Sequence, residues 1–311
     1  MTTILVTGGA GFIGSNLVED LVSQGYNIKV LDNFETGKRE NLSGLENKIE
    51  LVKGDIRDMR LVKNAVKGVD YISHQAALPS MIKSIEEPIP TTEVNILGTL
   101  NILLAARDSG VQRIVYASSS SVYAGVDELP KRESMNMVPT SPYGLTKVAN
   151  EHYFKIFHDI YGLKSVGLRY FNIFGPKQDP KSEYAAVIPK FINLMLNYKE
   201  PPIYGDGKQT RDFSYVKDAA IANIISLKAK RADGYAYNIA GGKQTSINDL
   251  VRKINEMLGK NIKPIYENPK PGDPKYSEAD ISEAVKNLGY KPKYGFGEGL
   301  KLTVEWFSKR R

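Results

Sequence analysis

A tyrosine and a lysine stand four residues apart in Tyr143-Gly144-Leu145-Thr146-Lys147, directly after Pro139-Thr140-Ser141-Pro142. On a helix this spacing puts both side chains on one face, about 5–6 Å apart at Cβ. An ammonium beside a phenol favours the phenolate and draws the tyrosine pKa below its usual ~10. Such a phenolate is a general base, able to take a proton from an alcohol while hydride leaves the same carbon. A Tyr/Lys pair also arises by chance on surface helices, so its surroundings matter. Ala117-Ser118-Ser119-Ser120-Ser121-Val122-Tyr123 sets small hydroxyls at the carboxyl end of an expected strand, the edge where ligands of open α/β sheets lie.

The second group able to do chemistry is Gly8-Gly9-Ala10-Gly11-Phe12-Ile13-Gly14, which satisfies both Gly-x-x-Gly-x-x-Gly and Gly-x-Gly-x-x-Gly. Glycine permits the positive φ of a tight turn, lets backbone approach a pyrophosphate, and lets a helix pack closely on its strand. The helix that opens there offers N–H donors and partial positive charge to phosphates. Asp32 falls 18 residues past Gly14, at the end of the second expected strand. A carboxylate there accepts hydrogen bonds from adenosine ribose hydroxyls and repels a 2′-phosphate, pointing to NAD over NADP. Asp32-Asn33 alone would read as a turn opener. Asp55, in Gly54-Asp55-Ile56-Arg57, ends the third strand within reach of an adenine. An oxidised nicotinamide near Tyr143, itself cationic, would lower the phenol pKa further.

Positioning these groups takes a sheet. Apolar runs over 3–7, 27–31, 49–53, 70–73, 112–117 and 165–170 read as strands, with helical periodicity over 12–23, 59–66, 90–109 and 146–161. This alternation specifies a Rossmann-type α/β fold, a doubly wound parallel sheet covered on both faces. After Tyr170 prolines multiply, and helices expected over 185–196, 246–258 and 277–288 are separated by Pro/Gly-rich loops such as residues 268–274. The pattern predicts an NAD-binding domain over 1–172, joined by parts of 212–240. A smaller C-terminal α/β substrate lobe over 173–311 is expected on the carboxyl edge of the sheet.

The 311 residues are 41% hydrophobic and 25% charged, which excludes wholesale disorder. No apolar run reaches the ~20 residues of a bilayer span and no signal-peptide pattern precedes Gly8, so no membrane partner is expected. Zero cysteine removes disulfides, thiolate nucleophiles and cysteine-ligated metals, and fits a cytoplasmic location. His74, His152 and His158 form no metal-ligand spacing, so no metal is expected. The net charge of +7 is spread along the chain. Its dense clusters, residues 228–231 and 309–311, read as solvated surface and a charged tail, and no nucleic-acid partner is expected.

Gly8-x-x-Gly11-x-x-Gly14, Asp32, His74-Gln75-Ala76-Ala77, the serine run, Tyr143-x-x-x-Lys147 and Arg169-Tyr170-Phe171-Asn172 together resemble the extended short-chain dehydrogenase/reductase family. Within it the chain is most similar to the UDP-hexose 4-epimerases. The likeness continues through Tyr204-Gly205-Asp206-Gly207, Arg211-Asp212-Phe213, Pro271-Gly272-Asp273 and Ala279-Asp280-Ile281-Ser282. It implies NAD as cofactor, a UDP-sugar substrate, and a homodimer built on helices around 95–109 and 146–161. By this resemblance Tyr143 is the base, Lys147 binds the nicotinamide ribose, and Ser119, helped by Ser121, bonds the sugar O4. Gly8, Gly11, Phe12, Ile13, Gly14, Asp32, Asn33, Asp55, Ile56, Gln75, Ala76, Ala77, Asn95 and Tyr170 would surround the dinucleotide. Asn172 and Arg211 would hold the substrate diphosphate, Tyr204 would flank the uracil, Asp273 would take the uridine ribose, and Val187 would join these contacts. Lys270 stands where the family carries an arginine, keeping the charge but losing the bidentate fork.

The implied reaction is NAD-dependent 4-epimerisation of a UDP-hexose through a transient 4-keto sugar. Related 4,6-dehydratases carry Thr-Asp-Glu in place of Ser119-Ser120-Ser121, and the missing acids argue against dehydration. Epimerisation or decarboxylation of a UDP-glucuronate stays open. The position of Ser277 abuts the sugar C2 substituent in the resembling epimerases; a small residue there implies that UDP-N-acetylglucosamine is accepted along with UDP-glucose. Ser277 otherwise reads as a helix cap. Two other classes compete: an NAD-binding sensor or scaffold that would need neither Tyr143 nor Lys147, and a nucleic-acid binder with salt-dependent affinity.

Overall fold

The computed structural model describes residues 1–180, 186–269 and 275–310. Strands and helices alternate first: β1 (Thr3–Thr7), α1 (Phe12–Ser23), β2 (Asn27–Asp32), β3 (Ile49–Lys53), α2 (Met59–Val66) and β4 (Tyr71–His74). Next come α3 (Met81–Glu86), α4 (Pro88–Thr92), α5 (Thr99–Asp108), β5 (Arg113–Ser119), α6 (Pro142–Tyr161) and β6 (Ser165–Tyr170). Shorter pieces follow: β7 (Ile173–Phe174), α7 (Val187–Leu196), β8 (Pro202–Tyr204), β9 (Thr210–Asp212), β10 (Ser214–Tyr215) and α8 (Val216–Ser226). The last are β11 (Tyr235–Ile239), β12 (Gln244–Ser246), α9 (Ile247–Leu258), β13 (Ile265–Glu267), α10 (Ser282–Leu288) and α11 (Phe296–Ser308).

Seven strands pair in parallel in the order β3-β2-β1-β4-β5-β6-β11. The chain winds outward from β1 in one direction and then in the other, so the β1/β4 boundary is a topological switch point with its crevice at the carboxyl ends. The pleat divides β1 between two cores. Ile4 and Val6 face α1 and α8, packing with Leu17, Leu21 and Ala219, whereas Leu5 faces the opposite layer with Val62, Ile102 and Phe154. A third core joins α7, α9 and α11 through Phe191, Leu250 and Leu300.

Helix α6 carries the Tyr/Lys pair, and its seat on the sheet is tight. Tyr116 of β5 stacks on Phe154 of α6 with ring centroids 3.7 Å apart, and a Cβ at Gly167 of β6 would come within 2.6 Å of the Tyr116 ring. Glycine at 167 is therefore what lets the stacked pair lie flat on the sheet. Glu151, one turn past Lys147, is buried against Arg169 at 2.9 and 2.6 Å and accepts from Ser118.

Three sequence expectations need correction. Helix α6 starts at Pro142, four residues before the expected 146, because Ser141 caps the Gly144 N–H at 3.1 Å and proline suits the first turn. The expected helix over 90–109 is interrupted by a π-helical stretch, Glu93–Gly98, between α4 and α5. The helix expected from 277 begins only at Ser282, since Ala279 forms a bridge with Lys131. An 18-residue window within the run Pro88–Asp108 reaches a mean hydropathy of 1.2. Half of it is buried, with Ile102, Leu103 and Ala106 packed into the second core.

His74 ends β4 with both ring nitrogens engaged, Nδ1 at 2.7 Å from the Thr7 hydroxyl and Nε2 at 3.0 Å from that of Thr99. Burial, aided by the Lys147 charge, lowers its pKa from 6.5 to about 3. A depressed histidine pKa means that protons bind the unfolded chain first, so stability is lost as pH falls from about 6.5 towards 3. Urea melts between pH 7 and 4 should show this loss, and His74→Gln should flatten it.

Candidate active site

A groove of about 1030 Å³ runs along the carboxyl ends of the strands. Its floor is the β1–α1 turn. Gly8 has φ +67°, and a Cβ there would meet the Ala76 nitrogen at 2.7 Å, so only glycine allows β4's exit loop this close. A Cβ at Gly14 would sit 2.1 Å from the Gly8 carbonyl oxygen. No side chain caps the N-terminus of α1, leaving that helix end to whatever occupies the groove. Asp32 closes the side wall at the end of β2. Its carboxylate accepts the Ala10 N–H at 2.9 Å and the Phe34 N–H at 2.8 Å, and burial raises its pKa against those two bonds. Asp55 is engaged by Arg57 and, at 3.0 Å, by the Asn33 amide. The Arg57 guanidinium is the main reason its pKa drops to about 2.

Across the groove, Tyr170 donates to Gln75 at 3.2 Å and accepts from Asn223 at 2.7 Å. The Gln75 amide in turn reaches Asn223 and Ser73 at 2.9 and 3.0 Å. This chain of bonds fixes the wall between the turn and the serines.

Tyr143, Lys147 and Ser119 meet at the middle of the groove. The Ser119 hydroxyl lies near the Tyr143 phenol and favours its ionised form, and the Tyr143 backbone N–H is held by Ser84 Oγ at 3.1 Å. Lys147 is buried with its ammonium 2.8 Å from the Ala117 carbonyl oxygen and 5.7 Å from the Tyr143 ring centroid. Burial lowers the Lys147 pKa to about 8, partly offset by Glu151. The sequence reading expected a depressed phenol pKa, but here it is raised: burial outweighs the Ser119 hydroxyl. The ammonium donates to the Ala117 carbonyl and not to the phenol.

A second cavity of about 330 Å³ opens beyond Asn172 and Ile173, which line both spaces. Val187, Tyr204 and Arg211 are in its wall. Asn172 sits at φ +38°, and its amide donates to the Asp212 carbonyl at 3.0 Å and reaches Ser277 Oγ at 3.4 Å.

Of the expected dinucleotide residues, Gly8, Gly11, Phe12, Ile13, Gly14, Asp32, Asn33, Asp55, Ile56, Gln75, Ala76, Ala77 and Tyr170 all line the groove. Asn95 does not: it is buried behind the wall, where its amide brackets Leu78 at 2.8 and 3.1 Å and donates to Thr146 at 3.1 Å. Ser121 is also absent from the groove wall, and its enclosed hydroxyl has no partner among the described residues. Lys270 and Asp273 lie outside the described residues. The sequence reading missed α3, whose Ile82 lines the second cavity while Ser80 and Lys83 line the groove. Ser80 as a cap three residues before Lys83 was its one available signal.

A family model described as GDP-mannose 4,6 dehydratase matches residues 5–303. A putative UDP-glucose 4-epimerase of Methanocaldococcus jannaschii is 43% identical, covering 97% of this chain and 97% of that relative. Among solved structures, a UDP-N-acetylglucosamine 4-epimerase from Methanobrevibacter ruminantium, in complex with UDP-N-acetylmuramic acid, superposes with a TM-score of 0.96. It has 41% identity and covers 100% and 99% of the two chains. The UDP-glucose 4-epimerase of Thermus thermophilus in complex with NAD gives a TM-score of 0.88 at 37% identity, covering 99% of each chain.

Gly14→Ala should force the turn and α1 apart. Calorimetry should show a melting point a few degrees lower, in line with about 1–3 kcal/mol of overpacking, and the purified variant should retain less pyridine nucleotide by chromatography.

Proposed function

This chain belongs to the GDP-mannose 4,6 dehydratase family of extended short-chain dehydrogenases/reductases, and on that premise we propose that it is an NAD-dependent UDP-hexose 4-epimerase. The observation that carries the reading is that Tyr143, Lys147 and Ser119 line one groove, which shares Asn172 and Ile173 with the second cavity. The acidic residues of the groove wall are Asp32, Glu35, Asp55 and Asp179, none of them on β5 or α6. A dehydratase needs an acid next to the base, and this arrangement offers a hydroxyl there instead.

The groove fits NAD. Gly8 and Gly14 leave the backbone bare at the uncapped N-terminus of α1, which suits a pyrophosphate, and Asp32 suits the adenosine ribose. NAD held there would supply the acceptor, and then the donor, of the sugar C4 hydride, so that the cycle would carry no net redox change. Tyr143 accepts the O4 proton and later gives it back, with Ser119 steadying the oxygen. Lys147 holds the nicotinamide ribose and adds positive charge near the phenol. Asn172, Arg211, Tyr204 and Val187, with Lys270 and Asp273, grip the UDP moiety. Small side chains such as Ser119 and Ser277 leave the hexose room to turn and present either face. Residues 1–172 with parts of 212–240 form the NAD-binding domain and 173–311 the substrate lobe.

Leu145, Ile156, Ile160 and Tyr161 expose an apolar stripe on α6, and Ile89 and Leu97 expose more on the neighbouring helix. Such exposed apolar faces support reading the chain as a homodimer. Light scattering should return twice the chain mass, and Leu145→Asp combined with Ile156→Asp should return the mass of one chain.

Chromatography of reactions with UDP-glucose and UDP-N-acetylglucosamine should show both converted to their C4 epimers. Tyr143→Phe should slow both by about 10²–10⁴-fold while keeping NAD. Ser277→Tyr should lose only the N-acetyl substrate. Equal loss on both sugars refutes the Ser277 assignment, and full activity in Tyr143→Phe refutes the mechanism.

A further inference from the structure

Two sequence motifs, Arg211-Asp212-Phe213 and Ala279-Asp280-Ile281-Ser282, contain residues that the proposed reaction does not use. The structure joins them. Asp212, at the end of β9, is fully buried and lines neither cavity. One carboxylate oxygen, Oδ1, accepts the Gly241 and Gly242 N–H groups at 3.0 and 3.1 Å. The other, Oδ2, accepts the Ala279 N–H at 3.3 Å. The Asp212 backbone carbonyl meanwhile accepts the Asn172 amide, which also reaches Ser277. One side chain thus ties together β9, the loop after β11 and the segment that carries Ser277.

Of those pieces β9 supplies Arg211 to the wall of the second cavity, and Ser277 meets that wall through its contact with Asn172. That segment has few other anchors on this side. Thr210 N–H donates to the Lys275 carbonyl at 3.0 Å, and Lys131 pairs with Glu278 and Asp280 through backbone bonds at 2.8 and 2.9 Å. The Asp212 carboxylate adds an anchor at Ala279, beside the Lys131 bonds, that reaches back to β9. Burial lifts its pKa to about 6, the mark of a carboxylate that leans on backbone N–H donors for its solvation.

We infer that Asp212 is a positioning residue for the nucleotide-sugar: its carboxylate clamps the 275–279 segment onto β9 and so fixes Ser277 against Asn172 and Arg211. The inference rests on the UDP-hexose reading of this cavity. It gives Asp212 no contact with substrate and no part in proton transfer.

Asp212→Asn is a selective probe. Its amide oxygen can keep both glycine N–H bonds, while its NH₂ then faces the Ala279 N–H, donor against donor. The 275–279 segment is released and the rest stays. In the full-length enzyme KM for UDP-glucose and UDP-N-acetylglucosamine should rise roughly tenfold, the scale of one unsatisfied buried donor, with kcat close to wild type and NAD fully retained. Hydrogen exchange should quicken in the peptide covering 275–281 and not in the β1–α1 turn. An unchanged KM, or a fall in kcat together with NAD loss, overturns the inference. Should Asp212→Asn fail to fold, Ala279→Pro removes the same bond from its other end, and a folded Ala279→Pro with wild-type KM overturns it equally. If the wild type converts neither sugar, the proposed reaction fails; calorimetric affinity for UDP, together with the exchange pattern, still decides the role of Asp212.

Discussion

The buried carboxylate of Glu151 holds the site together. It takes both arms of the Arg169 guanidinium and the Ser118 hydroxyl, with the two charged side chains each only 7% exposed. Removing water from two charges is costly, and losing one partner of such a pair typically costs about 3–5 kcal/mol. The consequence is geometric. Glu151, Lys147 and Tyr143 follow one another at single-turn intervals on α6, so pinning the first to β5 and β6 sets the depth of the other two. Ser118 and Ser119 are adjacent on β5 and point to opposite faces, one into the Glu151 network and one to the phenol. The same strand therefore measures the distance between base and hydroxyl. The Tyr116–Phe154 stack over Gly167 presses the next turn of the helix down in the same place.

The base held in this site is a phenol whose ionisation its burial opposes. The Tyr143 pKa is raised by burial, and Lys147 is engaged with the Ala117 carbonyl 2.8 Å away. The Lys147 pKa near 8 still leaves it charged at neutral pH. Its field, and that of any cation arriving in the groove, acts in a poorly screened space where charge stabilises a phenolate strongly. The depressed pKa expected from the sequence thus belongs to the loaded groove. Helix spacing shows that an ammonium is near; it does not show which acceptor the ammonium faces, and that depends on the carbonyl at the end of β5.

The β1–α1 turn, Asp32, and the Tyr143/Lys147 pair were all legible because each depends on local rules: glycine sterics, strand ends and one turn of helix. Strands over 49–53 and 165–170 and helices over 12–23 and 59–66 have the expected bounds for the same reason. What escaped was non-local. Tyr235–Ile239 joins the sheet as its seventh strand only because β6 offers an edge, and nothing in its own pattern announced it. Asn95 looked like a wall residue, yet its side chain is spent on Leu78 and Thr146. The π stretch around it leaves the Asn95 carbonyl to accept Thr99 at 2.6 Å and Asn150 at 2.9 Å, a bond pattern no periodicity encodes. Ser121 was one of four identical neighbours, and only the short helical turn after β5 decides which of them faces the groove.

The two halves of the ligand space differ in kind. The dinucleotide groove is the rim of one parallel sheet, and the fully buried Ile4, Leu5 and Val6 behind it make that rim stiff. The second cavity is assembled from α3, β7, α7, β8, β9 and α9, elements scattered along the chain and cross-linked nearby by side-chain to backbone bonds such as those of Asn172 and Asp212. Its contacts are therefore of longer range and individually weaker. An epimerase has use for this asymmetry. The redox partner must be retained through each cycle, which favours the stiff rim. The hexose must leave its first pose and take up a second while the nucleotide stays put, which favours a cavity assembled from separate elements over a second stiff rim.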